Sequence, residues 1–304
     1  MDRNEASDCG RTGSVSQRFS SVTLRALTQN DDDVHRRSWK TLHVTLRADY
    51  EQHGAVVVRG VLSPEEVSMV TAAIEANLND LSPRAKRASA DGDGSFIEDF
   101  CSWQRIPQIE QVVHLPVLSQ LAAELMGSQR VRFFHDHMLV KEPGTSQRTP
   151  WHHDIPYYNV EGRQNVSMWI PVDLVPRAVS LEFLSGSHHG PWYMPRTFLD
   201  AQAEWFPEGS LSELPVIEGD DPRVIGWELD PGDVVCFHMQ TLHTAAGNPG
   251  PLRRRVLSLR FLGDDMVHAP RQWATSPEFP GLASRLPTGA EMNDPLFPLL
   301  RTLT

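Results

Sequence analysis

The sequence predicts a mainly β domain with helices packed on its outside, and three patterns carry that prediction. Residues 131–140 and 254–261 alternate and are rich in β-branched, aromatic and aliphatic side chains, as half-buried strands are. Gly54-Ala55-Val56-Val57-Val58-Arg59-Gly60 is a β-branched run between glycines, the pattern of a short buried strand. Strong helix punctuation follows it: Ser63 as cap, Pro64 in the first turn and Glu66 completing an S-x-x-E box, with Val67, Val70, Ile74 and Leu78 then recurring at helical spacing. That helix is expected on the outer face of the sheet.

Taken in order, residues 1–30 are rich in Ser, Asp, Asn and Arg and read as a disordered tail, leaving 31–304 as a single domain. Residues 82–100 read as a loop, either a solvated basic one or one over the active site where Arg84 or Arg87 would meet a substrate anion. Helices are expected near 105–112 and 116–127. Strand 131–140 carries His135 and His137, read as packing or substrate-contact residues. A turn over 157–165, with Arg163, leads to strand 166–172; another strand spans 181–184, and His188 beyond it reads as a structural histidine. Residues 189–227 have no clean period and read as an insertion, part helix near 198–206, with Arg196 as a further substrate candidate. A turn at 229–233 precedes a strand-like run, Asp233-Val234-Val235-Cys236-Phe237, and Asn248-Pro249-Gly250-Pro251 reads as a hairpin loop bringing the next strand back. On that returning strand Arg254, Val256, Ser258 and Arg260 share one face, taken as interior, while Leu257, Leu259 and Phe261 share the other. The chain from 264 onward reads as irregular with short helices.

Charge and cysteine usage bound the possible functions. The net charge of −11 excludes nucleic acid as an expected partner, and no apolar run approaches the roughly 18 residues of a spanning helix. Cys9, Cys101 and Cys236 are scattered, without C-x-x-C spacing, and the N-terminus lacks the apolar region of a signal peptide, so a reducing, cytoplasmic setting is expected. The oligomeric state is not legible.

The chemistry centres on Trp151-His152-His153-Asp154. His152 and Asp154 form an H-x-D pair, and residues two apart on a strand point to one face. His243 can supply a second imidazole. Two His and one carboxylate make the facial triad that suits non-haem Fe(II), with the opposite face open for a cosubstrate and O₂. Arg254, eleven residues past His243, is suited to a bidentate grip on a carboxylate such as that of 2-oxoglutarate. A zinc hydrolase on the same three ligands and a catalytically silent binding module are the competing readings.

Together with Trp169-Ile170-Pro171-Val172-Asp173, the run Leu181 through His188 and the stretch from His243 to Phe261, these residues make the chain resemble the phytanoyl-CoA dioxygenase family of Fe(II)/2-oxoglutarate oxygenases over residues 43–265. The resemblance implies a double-stranded β-helix, a jelly roll of cupin type. It also implies Fe(II), 2-oxoglutarate and O₂ as reactants, succinate and CO₂ as products, and hydroxylation of an unactivated C–H. His152, Asp154 and His243 would hold the iron, with Arg254 and Trp169 in the oxoglutarate pocket. Related halogenases carry a small residue where Asp154 stands, so hydroxylation is expected; Ala245 replaces a Ser that contacts oxoglutarate in some members. Arg84, Arg87, Arg163, Arg196 and Arg260 suggest an anionic small-molecule substrate, an amino acid or N-acyl (for example N-succinyl) amino acid, with an acyl-CoA as the alternative.

Overall fold

Side chains divide along each strand by parity, and that division builds two facing sheets with helices behind one of them. The computed structural model describes residues 22–23, 45–87, 89, 93–194, 206–207 and 209–302. In chain order the elements are β1 (Val22–Thr23), α1 (45–53), β2 (Ala55–Arg59), α2 (Pro64–Asn79), β3 (Lys86–Arg87), β4 (Phe96–Phe100), α3 (Pro107–Val113), α4 (Pro116–Met126), β5 (Arg130–Lys141), β6 (Thr149–His152), β7 (Val160–Glu161), β8 (Asn165–Pro171), β9 (Leu181–Leu184), β10 (Val224–Ile225), β11 (Val234–Phe237), β12 (His243–Ala245), β13 (Arg254–Leu262), β14 (Val267–His268), α5 (Leu282–Arg285) and β15 (Leu299–Thr302). The major sheet runs β1-β2-β11-β8-β13-β5-β4-β3, with β15 also on β5, and the minor sheet runs β10-β9-β12-β6. This is the double-stranded β-helix.

Outward residues of the major sheet, among them Val56, Val58, Met168, Ile170, Val234, Cys236, Leu257, Leu259 and Phe261, pack under α2, α3 and α4. Inward residues, among them Val57, Trp169, Val235, Phe237 and Val256, meet Leu181, Phe183 and Ala245 of the minor sheet. One slip in register would exchange these two sets, so apolar parity fixes pairing throughout. The expected split of β13 holds: its odd apolar residues lie under the helices, and Arg254, Ser258 and Arg260 are buried on the inner side. Helix α2 begins as its sequence dictates. The Ser63 amide donates to Glu66 Oε2 at 2.8 Å, and the Glu66 amide donates to Ser63 Oγ at 3.2 Å. Gly54, at φ +75°, joins α1 to β2 where an added Cβ would sit 2.4 Å from His188 Nδ1 and Thr241 Oγ1.

Several expectations need correction. Residues 82–100 are not all loop, because β4 pairs along β5 and turns Phe96, Glu98 and Phe100 inward. Residues 248–251 are not a hairpin loop. β12 belongs to the minor sheet and β13 to the major one, so the chain crosses between sheets there. The segment beyond 264 adds β14 and β15, and its Met266, Leu282, Leu286, Met292 and Phe297 form a third apolar cluster with Phe134, Ile155 and Tyr158. The tail expected over 1–30 lies outside the described residues, save that Val22 and Thr23 pair in parallel with β2. The helix expected near 198–206 is also almost wholly outside them. Among the described residues no helix is long and apolar enough to cross a membrane.

Two buried histidines tie the connections between sheets. His153 Nε2 accepts the Tyr193 amide at 2.9 Å, and His238 Nδ1 accepts the Gln240 amide at 3.1 Å. An acceptor nitrogen must be unprotonated. Burial accordingly pushes His153 down to about 4 and His238 down to about 3. An unfolded histidine protonates at ~6.5, so between these values the unfolded chain binds more protons and stability is lost as the pH is lowered. Urea unfolding midpoints should therefore drop steadily from pH 6.5 towards 4.5. His238→Asn, which keeps an acceptor near Nδ1 and does not titrate, should make the slope shallower. A midpoint independent of pH across that window would contradict the assignment.

Candidate metal centre

The two imidazoles meet because β6 and β12 are neighbours in the minor sheet. His152 and His243 are direct partners across that ladder, and their ring centroids are 4.2 Å apart. Asp154 joins them by a route the strand rule does not describe. β6 ends at His152, and Asp154 lies in the helical region (φ −75°, ψ −34°), where a tight turn over Ile155–Tyr157 begins. The Asp154 and Ile155 amides both donate to the Met239 carbonyl, at 2.8 and 3.0 Å. That anchor folds the carboxylate back between the rings. His152 Nε2 and His243 Nε2 stand 3.7 and 3.8 Å from Asp154 Oδ1, and the three ligand atoms lie within 4.8 Å of one another.

Proton positions follow from the neighbours. His152 Nδ1 is 2.9 Å from the Pro150 carbonyl, and His243 Nδ1 is 2.9 Å from the Thr241 carbonyl. A carbonyl only accepts, so each Nδ1 carries the hydrogen and each Nε2 presents a lone pair. Burial, with His152 beside it, pushes His243 down to about 3 and keeps it neutral. Burial alone would raise the Asp154 carboxyl, but the neighbouring Arg260 guanidinium holds it well below the usual carboxylate range. Two imidazole nitrogens and a carboxylate oxygen therefore converge on one point, a donor set that suits a cation, and separations under 4 Å are within reach of donors at ~2.1 Å from one ion. Neutral imidazole and ionised carboxylate are the forms a metal needs. Phe237 and Phe183 pack on the His243 ring at 4.8 and 5.9 Å, fixing its plane.

Around this set the inner face of the major sheet is polar. Arg260 Nη2 lies 3.4 Å from Asp154 Oδ2, and its Nε donates to Tyr158 Oη at 2.9 Å. Arg254 is 6% exposed; its Nη1 donates to the Val179 carbonyl, and its guanidinium lies 5.9 Å from the Trp169 ring centre. Arg254 stands on the sheet opposite the distal His, not on the adjacent strand. Among the described residues no carboxylate pairs with it, and burial pushes it down to about 10. Lys141, unremarked in the sequence because the strand was ended at 140, faces Arg254 directly across β5 and β13. It is 1% exposed and donates only to the carbonyls of Gln147 and Ala246, at 2.7 and 3.1 Å. Burial and the neighbouring Arg254 push Lys141 down to about 6, so Arg254 is the cation of this pair, and with no carboxylate paired to it among the described residues it makes an anion site that Lys141 can join by taking up a proton.

The other arginines are dispersed. Arg84 and Arg87 are exposed near the outer edge strand β3, donating to the Glu278 and Asp93 carbonyls at 3.1 and 3.4 Å. Arg163 lines a different cavity of about 520 Å³, on the helix side with Tyr50, Leu125 and Met126. Arg196 lies outside the described residues. Sequence reading missed Glu98 and left open the part played by His137, which the register of β4, β5 and β13 brings to the inner wall with Ser258. The parity of β5 was the available signal for His137; nothing in the apparent loop 82–100 marked Glu98.

Single-ion binding should depend on all three ligands. Titration with Mn(II) or Co(II) should give one site per chain. His152→Ala, Asp154→Ala and His243→Ala should each weaken it by more than the ~10–100-fold that outer-shell partners cost. Undiminished affinity in any of the three would remove that residue from the site.

A model of the phytanoyl-CoA dioxygenase (PhyH) family matches residues 50–256, so the match includes both histidines, Asp154 and Arg254. A probable phytanoyl-CoA dioxygenase of Caenorhabditis elegans is 24% identical over 195 residues, 60% of this chain; the chain spans 59% of that relative's length. Among solved structures, the epimerase SnoN of nogalamycin biosynthesis, in complex with Fe3+, alpha ketoglutarate and nogalamycin RO, superposes with a TM-score of 0.68 at 24% identity, covering 86% of this chain and 100% of its own. EvdO2 of Micromonospora carbonacea var. aurantiaca, complexed with 2-oxoglutarate, gives 0.58 at 21% identity, covering 76% and 96%. These structures share the fold, and the span of the family match settles the membership: the chain belongs to the phytanoyl-CoA dioxygenase family.

Proposed function

We propose that the chain is an Fe(II)/2-oxoglutarate-dependent dioxygenase that hydroxylates an unactivated C–H of a small molecule. The observation that carries this is the convergence of ligand atoms from His152, Asp154 and His243, facing a sheet where the Arg254 guanidinium has no carboxylate partner among the described residues. Ferrous iron with 2-oxoglutarate and O₂ would supply oxidative decarboxylation to succinate and CO₂ and the oxidising equivalent for hydroxylation. The chain's own part is to hold and to orient. Arg254, with Lys141 beside it, neutralises the distal carboxylate of 2-oxoglutarate, and Trp169 walls that pocket. Asp154 fills the coordination position that a halogenase leaves open, which favours hydroxylation. A zinc hydrolase would leave Arg254 and Lys141 without a role.

An acidic substrate, an amino acid or N-acyl amino acid, would meet Arg84 or Arg87, because Arg260 is engaged by Asp154 and Tyr158 and Arg163 faces elsewhere. We place the protein in the cytoplasm, since the described cysteines, Cys101 and Cys236, are free thiols.

Anaerobic addition of Fe(II) and 2-oxoglutarate should produce the visible charge-transfer band of a chelated 2-oxo acid, and admission of air should release succinate without added substrate. Arg254→Ala should raise the KM for 2-oxoglutarate by about 10–100-fold, the effect of losing charge-assisted hydrogen bonds worth roughly 1.5–3 kcal/mol. Absence of both band and succinate would overturn the proposal. An unchanged KM would remove Arg254 alone. A screen of amino acids, N-acyl amino acids and acyl-CoAs for stimulated succinate release then addresses the substrate.

A further inference from the structure

We propose that His137, held by Glu98, is the residue that recognises the primary substrate, accepting a hydrogen bond from a hydroxyl or ammonium group on it. The proposal rests on the oxygenase reading and supplies the substrate chemistry that reading lacks.

The placement comes from register. His137 on β5 is paired with Ser258 on β13 and with Phe100 on β4, so all three point inward. The His137 ring stacks on Phe100 at 3.9 Å and 24°. Glu98, two residues before Phe100, shares that face. Its Oε2 stands 3.4 Å from His137 Nε2, and its side chain is only 3% exposed. Both atoms are enclosed, and neither has a well-aligned hydrogen-bond partner among the described residues, so their approach is a charge contact. A carboxylate oxygen at that distance favours the ring form with its hydrogen on Nε2, which makes Nδ1 the lone-pair end. Among the described residues Nδ1 has no partner, and the side chain keeps 11% exposure. A residue on the inner face of a central strand can expose itself only to the space between the sheets.

That space is the one Arg260 and Asp154 border. Arg260 is paired with His135 on β5 and with Ser167 on β8, so it and His137 line the same wall two residues apart along the register. His135, the other inward histidine, does not compete. Its Nδ1 donates to the Asp136 carbonyl at 3.2 Å and its ring packs edge-on against Tyr158 at 5.1 Å; its Nε2 is also without a partner, but the residue is 1% exposed and offers a substrate no access. His137 is thus a neutral acceptor backed by a buried carboxylate, an arrangement that favours O–H or N–H donors and disfavours an anion. Glu98 acts through His137 and is a positioning residue.

The test uses the chain loaded with Zn(II) and 2-oxoglutarate, which is diamagnetic, and saturation-transfer NMR with four size-matched probes. These are cyclohexanol, cyclohexylammonium, cyclohexanecarboxylate and methoxycyclohexane. Bound 2-oxoglutarate is monitored in the same sample, so failure of the oxygenase reading shows as a missing cosubstrate signal. Cyclohexanol or cyclohexylammonium should bind about tenfold more tightly than the ether and the carboxylate, the cost of an unmet buried acceptor. Which of the two binds more tightly identifies the donor. His137→Phe, which keeps the stack on Phe100, and Glu98→Leu should both erase the preference. Glu98→Gln, which retains an acceptor for Nε2, should keep it, and 2-oxoglutarate binding and the unfolding midpoint should stay unchanged in His137→Phe. Equal saturation of all four probes, binding of none, or a preference that survives His137→Phe would overturn the proposal.

Discussion

Two imidazole nitrogens and one carboxylate oxygen are driven to one point. The Pro150 and Thr241 carbonyls take the Nδ1 hydrogens of His152 and His243, and Arg260 keeps Asp154 ionised. Such a cluster suits a cation, and the surrounding fold is what holds it together. The β6–β12 ladder fixes the imidazoles, the Met239 carbonyl fixes the carboxylate, and Phe183 and Phe237 clamp the distal ring. The site is preorganised for a metal by groups that never touch it.

The two-sheet architecture then sorts charge by position. The minor sheet brings both imidazoles. The facing strands of the major sheet bring basic groups at one end, Arg254 and Lys141, and the pair Glu98 and His137 further along the same β5 and β4 register. An anionic co-reactant and a donor-bearing substrate would thus be separated along one wall, each next to the group that favours it. Parity does this sorting: outward residues of the same strands are apolar and lie under the helices.

Much of this was legible in the residues themselves. The H-x-D pair, the distal histidine, the capping box at Ser63 and the inward face of β13 each stand in a local pattern with a local cause. What was not legible depended on pairing between distant strands. Arg254 could be named but not assigned to the opposite sheet, because sequence spacing does not say which strand is a neighbour. Asp154 reached its place through a turn anchored on Met239, a contact eighty-five positions away in the chain. Glu98 was hidden because Phe96–Phe100 reads as the end of a polar loop until β5 lies beside it. Arg163 and Arg260 looked equivalent as cations, yet one lines a cavity on the helix side and the other touches Asp154.

Iron-edge X-ray absorption on the anaerobic, Fe(II)-loaded chain tests the central claim most directly. One iron per chain should show a first shell of nitrogen and oxygen with scattering from two imidazoles, falling to one in His243→Ala. A sulfur ligand, a different imidazole count, or a shell unaltered by that substitution would contradict a centre built on His152, Asp154 and His243.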